Sequence, residues 1–286
     1  MEHLRFILNK KWLIFTLTSI VIIAAGFYNK LQILPDIPPQ TGHVLSCKTG
    51  FDTNQDVFTV YVTDISIANM ALPRLCNNTV IKKQYGQVSV IIGQNDYDTF
   101  RYINHGIIDL ALVKNNVVEA FGAEQIYGLT MIAKHPNYSA YFIALREKPI
   151  LSKEYLLGKR IGLLDYPSSR SGYIVPKTII QKMGLNEQNV VIKYYNSHKE
   201  LRRGLLAGEV DIISSYWADS DNDTFSKNYT TPLIDSVSGM RWYIKMQMQN
   251  TDLMCAVQTV IKQIVNEHPR QYYKNVILTE GCTPNV

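Results

Sequence analysis

The segment "DYPSSRSGYIVP", Asp165 to Pro176, follows the apolar run "KRIGLL" and places Ser169, Arg170, Ser171 and Gly172 where a strand gives way to a helix. The first N–H groups of a helix lack intrahelical partners, and together with the positive end of the helix dipole they attract anions. Two serine hydroxyls add donors there. Arg170 adds a fixed charge with the fork geometry that suits carboxylate or phosphate-like oxygens, and Gly172 would let a ligand approach the backbone. The same residues also read as ordinary helix capping by serine.

Other chemistry finds little support. The chain has no G-x-S-x-G, H-E-x-x-H, G-x-x-x-x-G-K-[ST] or G-x-G-x-x-G motif. Its histidines, His3, His43, His105, His135, His198 and His268, fall in apparent loops, turns or termini and read as surface residues. The carboxylates Asp96 with Asp98, and Asp219 with Asp221 and Asp223, fall in polar turns and read as caps and solvated loop, without the glycine and terminal glutamate of a calcium loop. No catalytic residue, metal ligand or cofactor is expected.

The elements that position this segment alternate along the chain. "VFTVYVTD" (57–64) and "QVSVIIG" (87–93) are β-rich and flank a helical stretch, 65–86, which Pro73 should kink or interrupt. "DYDTFRYINHG" (96–106) reads as a helix ended by Gly106, followed by the strand "IIDLALV". A second series has strands at "LLGKRIGLLD", "NVVIKYY" and "EVDIISSYW", with helices "SGYIVPKTIIQKMG" and "HKELRRGLLAG" between them. "FRYINHGIIDLALV" and "LRRGLLAGEVDIISS" share one plan: helix, glycine turn, acidic residue, apolar strand. Two series of βα units predict two α/β lobes. Segments 139–147 and 239–247 are candidate crossings, and the helical tail from Leu253 should pack back on the first lobe.

At 286 residues and 46% hydrophobic content the chain can fill the cores of two domains. The net charge of +5 is dispersed, with no block of like charges that would track along nucleic acid. Arg5, Lys10 and Lys11 precede the uncharged run Trp12 to Tyr28, which is either a retained membrane anchor or a cleaved signal peptide. No cysteine follows the run to take a lipid. The basic flank orients residues from about 30 onward across the membrane. "LPDIPPQTG" then reads as a stiff spacer, with folded structure beginning near residue 53. The even cysteine count, Cys47, Cys76, Cys255 and Cys282, favours disulfides in an exported chain. The pairs nearest in sequence, Cys47 with Cys76 and Cys255 with Cys282, are preferred among three pairings, and four free thiols are the alternative.

The segment "LLGKRIGLLDYPSSRSGYIVPKTIIQKMGL" resembles the signature of the phosphonate-binding-protein-like family of ABC importer substrate-binding proteins, in which a strand leads into a Pro-x-Ser-Thr-Ser-Gly turn and a helix. Pro167, Ser169, Ser171 and Gly172 match, and Arg170 stands where the family has threonine. "VYVTDIS", "DYDTFRYINHGIIDLALV", "YSAYFIALREKPILSKEYLLGKR" and "LLAGEVDIISS" follow the family order from about residue 57 to 275.

The resemblance implies an α/β, two-lobed type II periplasmic-binding fold with a hinge, here preceded by an N-terminal transmembrane helix. Residues 1–30 would form the basic flank and anchor or signal peptide, 31–52 the Pro-rich spacer, 53–145 with 236–286 lobe 1, and 146–235 lobe 2. Open α/β sheets bind ligands beyond the carboxyl ends of their strands. The candidate ligand contacts are therefore Asp64, Ser66, Tyr97, Lys114, Asn115 and Tyr141, then Ser169, Arg170, Ser171, Gly172, Tyr216 and Trp217. Each has a plain alternative as cap, packing residue or solvated charge. Arg170 could crowd a phosphonate, pair bidentately with an acidic group, or swing outward. The expected protein is no enzyme. It binds a small anionic or zwitterionic solute on the periplasmic side of the bacterial inner membrane and serves an ABC permease or a membrane sensor protein. The alternative is an interaction or scaffold protein that keeps the fold without a ligand.

Overall fold

The computed structural model of the protein describes residues 12–25, 43–50, 53–246, 250–279 and 282. The chain divides into two compact units, residues 1–41 and 42–286. In the first unit residues 12–25 form helix α1. Its large apolar side chains are exposed, Phe15 and Ile22 among them. Its hydroxyls donate back to carbonyls of the preceding turn, as Thr16 does to Trp12 and Ser19 to Phe15. Among the described residues no helix is long and apolar enough to cross a membrane. The basic flank, residues 26–28 of the apolar run and the spacer 34–42 lie outside the described residues.

The second unit holds two sheets. The seven-stranded sheet has the order β1-β3-β2-β4-β11-β5-β12. Its strands are β1 (His43–Lys48), β2 (Val57–Val62), β3 (Gln87–Ile92), β4 (Leu110–Lys114), β5 (Leu129–Lys134), β11 (Met240–Lys245) and β12 (Ile277–Leu278). The five-stranded sheet has the order β10-β6-β9-β7-β8. It comprises β6 (Tyr138–Ile143), β7 (Arg160–Leu164), β8 (Val191–Tyr195), β9 (Ile212–Tyr216) and β10 (Thr230–Val237). Each sheet has a parallel trio, β3-β2-β4 in one and β8-β7-β9 in the other, extended by antiparallel strands. Strands covered on both faces are buried almost throughout, so they read as apolar runs such as "IIDLALV".

Folded structure begins ten residues earlier than the sequence suggests, because β1 pairs with β3 from His43↔Ile92 to Lys48↔Gln87. The lobe boundary also moves. Strand β6, expected in the first lobe, pairs with β9 and β10, so the chain crosses between sheets at residues 135–137 and again at 238–239. The strands expected as crossings are thus sheet members, and the crossings are the short links beside them. There a Cβ on Gly239 would lie 2.4 Å from the Pro136 carbonyl oxygen and 2.5 Å from that of His135, so only glycine lets the two links touch.

Helix α2 (Ile65–Asn77) keeps Pro73 within it, and the break falls at Asn78, whose side chain accepts from Val80 N and Ile81 N to start α3 (Thr79–Gln84). Helix α10 (Thr251–Glu267) packs on α2 and α3. The repeated plan has one physical basis in both lobes. Asp109 accepts from Thr59 N at 2.8 Å and Asp211 from Arg160 N at 2.9 Å, each reaching the neighbouring parallel strand. Gly106 and Gly208 make the turns before them at φ 60° and 68°. Cysteines pair as Cys47–Cys76 and Cys255–Cys282, with none free among the described residues.

Candidate functional site

The signature segment forms a strand, a turn and a helix as its pattern predicts. β7 ends at Leu164, a π-helical turn spans Arg170–Ile174, and α8 (Val175–Lys182) continues it with Pro176 in its first turn, where a missing N–H costs nothing. The turn caps itself, since Ser169 Oγ accepts from Gly172 N at 3.2 Å. A Cβ on Gly172 would sit 2.6 Å from Leu164 Cγ, so this glycine admits a leucine side chain rather than a ligand. Ser171 is buried, and its carbonyl accepts from Ser214 Oγ at 2.6 Å.

The turn faces the other lobe. Ser168 N donates to Asp96 Oδ2 at 2.8 Å, and Ser168 Oγ donates to Asp96 Oδ1. Lys114 Nζ donates to Ser168 Oγ at 2.7 Å and lies 4.0 Å from Asp96 Oδ1. Asn116 Nδ2 reaches the Ser168 carbonyl at 3.3 Å, and Tyr166 OH donates to the Gln94 carbonyl. Asp96 therefore is not a solvated turn residue. It opens α4 (Asp96–Asn104), capped by Asn95, and clasps lobe 2.

Beside the clasp lie three cations. Arg170 donates from Nη1 to the Ser238 carbonyl in the second crossing at 2.8 Å. Burial lowers its proton affinity, opposed by Tyr138 and Glu119 and reinforced by Arg241. Burial likewise lowers the Lys114 pKa, with Asp96 opposing and Arg170 adding to it. Arg241 lies on β11 where Met240 pairs with Lys114 of β4, and it donates to Asn115 Oδ1. Asn115 is held by Tyr243 OH at 2.7 Å and by Glu119, so it orients Arg241 rather than standing free.

Tyrosines flank these charges. Tyr138 meets Tyr216 edge-on at 6.1 Å and Tyr272 at 6.2 Å between ring centroids. The Tyr272 oxygen accepts from Met240 N at 2.8 Å, which leaves its proton for another acceptor, and burial pushes its pKa up to about 12. His198 packs against Tyr216 at 4.7 Å and shares a 2.8 Å hydrogen bond with Ser215 Oγ. Burial, then Arg202 and Lys114, hold it near pKa 3, so it is neutral at physiological pH.

The structure brings Lys114, Asn115, Ser169, Arg170, Ser171, Gly172 and Tyr216 to this seam. Asp64 and Ser66 engage within lobe 1, where Arg270 Nη1 donates to Asp64 Oδ2 at 2.6 Å and Ser66 Oγ lies 3.0 Å from His268 Nε2. Since Arg270 N donates to His268 Nδ1, Nε2 carries the proton and donates to Ser66, an arrangement that does not activate the hydroxyl as a nucleophile. Tyr97 is 66% exposed. Tyr141 packs on the lobe 2 core, and Trp217 bonds Asn222 Oδ1 at 3.0 Å beneath Lys227. Three histidines expected at the surface are not there: His135 and His268 are buried and His198 lies in the seam. Asp221 is also buried, bound by Arg202 Nε at 2.5 Å and Nη2 at 2.6 Å.

Asp96, Ser168, Tyr138, His198, Arg241 and Tyr272 were not among the predicted contacts. His198 follows the end of β8 and Ser168 sits inside the signature, so the strand-end rule could have found both. Nothing local marks Arg241 or Tyr272.

Two sheets of mixed topology, each a parallel trio with crossing strands, joined by two short links around a seam at strand carboxyl ends, make an α/β type II periplasmic-binding fold. Residues 78–218 match the family of ABC transporter, phosphonate, periplasmic substrate-binding proteins, so the likeness read from the signature is shown. Solved structures with the same fold include PhnD1 of Prochlorococcus marinus in complex with methylphosphonate, at 13% identity and TM-score 0.58, covering 79% of this chain and 93% of that one. A binding protein component of an ABC phosphonate transporter from Pseudomonas aeruginosa matches at 16% identity and TM-score 0.54, covering 73% and 75%. A Xanthomonas citri protein bound to ATP matches at 15% and 0.51, covering 75% and 85%. No curated protein matches the chain.

Proposed function

We propose that the protein is a membrane-tethered periplasmic solute-binding protein that captures a small anionic ligand, bearing phosphonate, phosphate or carboxylate, between its lobes. The observation that carries this reading is the convergence of Lys114, Arg170 and Arg241 at the seam. Burial lowers the pKa of Lys114 and Arg170, and Asp96 approaches Lys114 only to 4.0 Å. An anion there would relieve the repulsion between like charges and accept from the Tyr272 hydroxyl. Tyr138 and Tyr216 would form the wall, and no covalent chemistry is involved. Tethering is supported by the exposed apolar surface of α1 and its self-satisfied hydroxyls, which suit a medium without water. The partner would be an ABC permease or a membrane sensor.

Thermal unfolding and calorimetry against phosphonates, phosphate esters, carboxylates and amino acids test the binding. A ligand at a hundred times its Kd should stabilise by about 2.7 kcal/mol, and Lys114→Ala with Arg170→Ala should abolish that gain. If no compound shifts the wild type, the reading fails. One observation favours a second reading, a ligand-free interaction or scaffold protein: the lobes are already bridged by the chain's own Asp96 and Ser168.

A further inference from the structure

We infer that Asp96 is a built-in anion that holds the lobes together and competes with a ligand's anionic group for the signature turn. This rests on the binding function just proposed and adds to it a residue that sets the threshold for binding. The Ser168 N–H and hydroxyl are the donors at the entry to the turn, and both point at one carboxylate of the opposite lobe. Lys114 completes the arrangement, donating to Ser168 Oγ at 2.7 Å while its charge stands 4.0 Å from Asp96 Oδ1. A carboxylate that accepts two hydrogen bonds and faces a cation has the surroundings that an anionic guest would need. Two further hydrogen bonds across the seam, Asn116 to the Ser168 carbonyl and Tyr166 to that of Gln94, are made by neutral donors to backbone and offer no such competition.

Two consequences follow. Without Asp96 the lobes lose the carboxylate clasp, keep the single Lys114 contact to Ser168 Oγ, and open more readily. An incoming anion then meets the Ser168 N–H and hydroxyl beside the Lys114 ammonium without having to displace Asp96, so it binds more tightly. A ligand of the wild type must displace Asp96 or sit beside it against Arg170 and Arg241, which disfavours densely charged ligands relative to singly charged ones.

The test uses the full-length chain with fluorophores placed through non-natural amino acids at exposed Lys83 on α3 and Lys182 on α8. Energy transfer reports lobe separation, and titration with methylphosphonate and inorganic phosphate reports binding. Asp96→Ala should lower transfer without any ligand and tighten binding of both anions at least tenfold. Asp96→Asn, which keeps the shape and one acceptor, should do both to a smaller degree. Unchanged transfer together with unchanged affinity in both variants overturns the inference. Opening of Asp96→Ala with no anion bound by any form supports the clasp and refutes the binding function. Anion binding that is equal in wild type and variants, with lobes that stay closed, refutes the clasp and leaves the binding function standing.

Discussion

The two lobes repeat one backbone device and differ in what secures it. In lobe 1 the Gly106 turn delivers Asp109 to the backbone of β2, and in lobe 2 the Gly208 turn delivers Asp211 to the backbone of β7. Asp109 sits where burial raises its pKa against the pull of the Thr59 N–H and Lys245. Asp211 is gripped by Arg160 through Nε at 3.1 Å and Nη2 at 2.6 Å, and that guanidinium holds its pKa below the usual carboxylate value. The same spacing of residues thus yields opposite electrostatics, because the neighbour that decides the sign comes from elsewhere in the chain. Larger-scale support differs too. Lobe 1 carries both disulfides, one tying edge strand β1 to α2 and the other tying α10 to the tail. Lobe 2 contains no cysteine and relies on the Arg202–Asp221 pair, which also fixes the carbonyl of Tyr216 at 2.9 Å.

The largest effect should come from breaking the lobe 2 support. Asp221→Asn takes the countercharge from the partly buried Arg202 guanidinium, and denaturant unfolding should show a loss of about 3 kcal/mol. Because Arg202 also lies against Tyr216 and beside His198, ligand affinity should fall with stability. Retained stability would mean that lobe 2 has support independent of the pair. Next in size, replacing Cys47 and Cys76 together by serine should cost about 2–4 kcal/mol through the freedom returned to the unfolded chain. Hydrogen exchange should then quicken around β1 and α2 and remain unchanged in lobe 2. Exchange that quickens in both lobes alike would show that they unfold as one unit.

The smallest and most diagnostic comparison is Asp211→Asn against Asp109→Asn. A depressed carboxylate pKa contributes stability above its unfolded value that is lost as pH falls through the folded one. A raised pKa does the reverse, its contribution being present below the unfolded value and lost as pH rises through the folded one. Relative to wild type, Asp211→Asn should therefore become less stable as pH rises from about 3 to 7, by roughly 0.5–1 kcal/mol given the partial exposure of the pair. Asp109→Asn should drift the opposite way over the same range. Unfolding curves taken across that range decide it, and drifts of the same sign would dissolve the contrast between the lobes.

Much of this was legible locally. Strand and helix order, the glycine turns and the capping serine depend on neighbours within a few residues, where periodicity and cap chemistry act. The cysteine pairing was legible as a preference for nearest partners. The seam was not. Ser168 and Asp96 lie 72 residues apart, and Arg170 and Ser238 lie 68 apart, so no window of sequence holds both halves of either contact. Asp96 read as a cap, but Asn95 caps the helix and the Asp96 carboxylate, one residue on, looks outward to the other lobe. Strand β6 was given to the wrong lobe for a related reason: its alternation announces a strand, but not which sheet will pair with it.

By itself, the order of residues determined that two α/β lobes would form and that a hydroxyl-rich helix start would stand at the end of a strand, since local hydrogen bonding and burial of apolar faces act over short stretches. Only the tertiary structure decided which charges that helix start would meet. Bringing Asp96, Lys114, Arg170 and Arg241 together across two links made one carboxylate a clasp and set three cations within electrostatic reach of one another, and long-range electrostatics of that kind exists only once the lobes have been placed side by side.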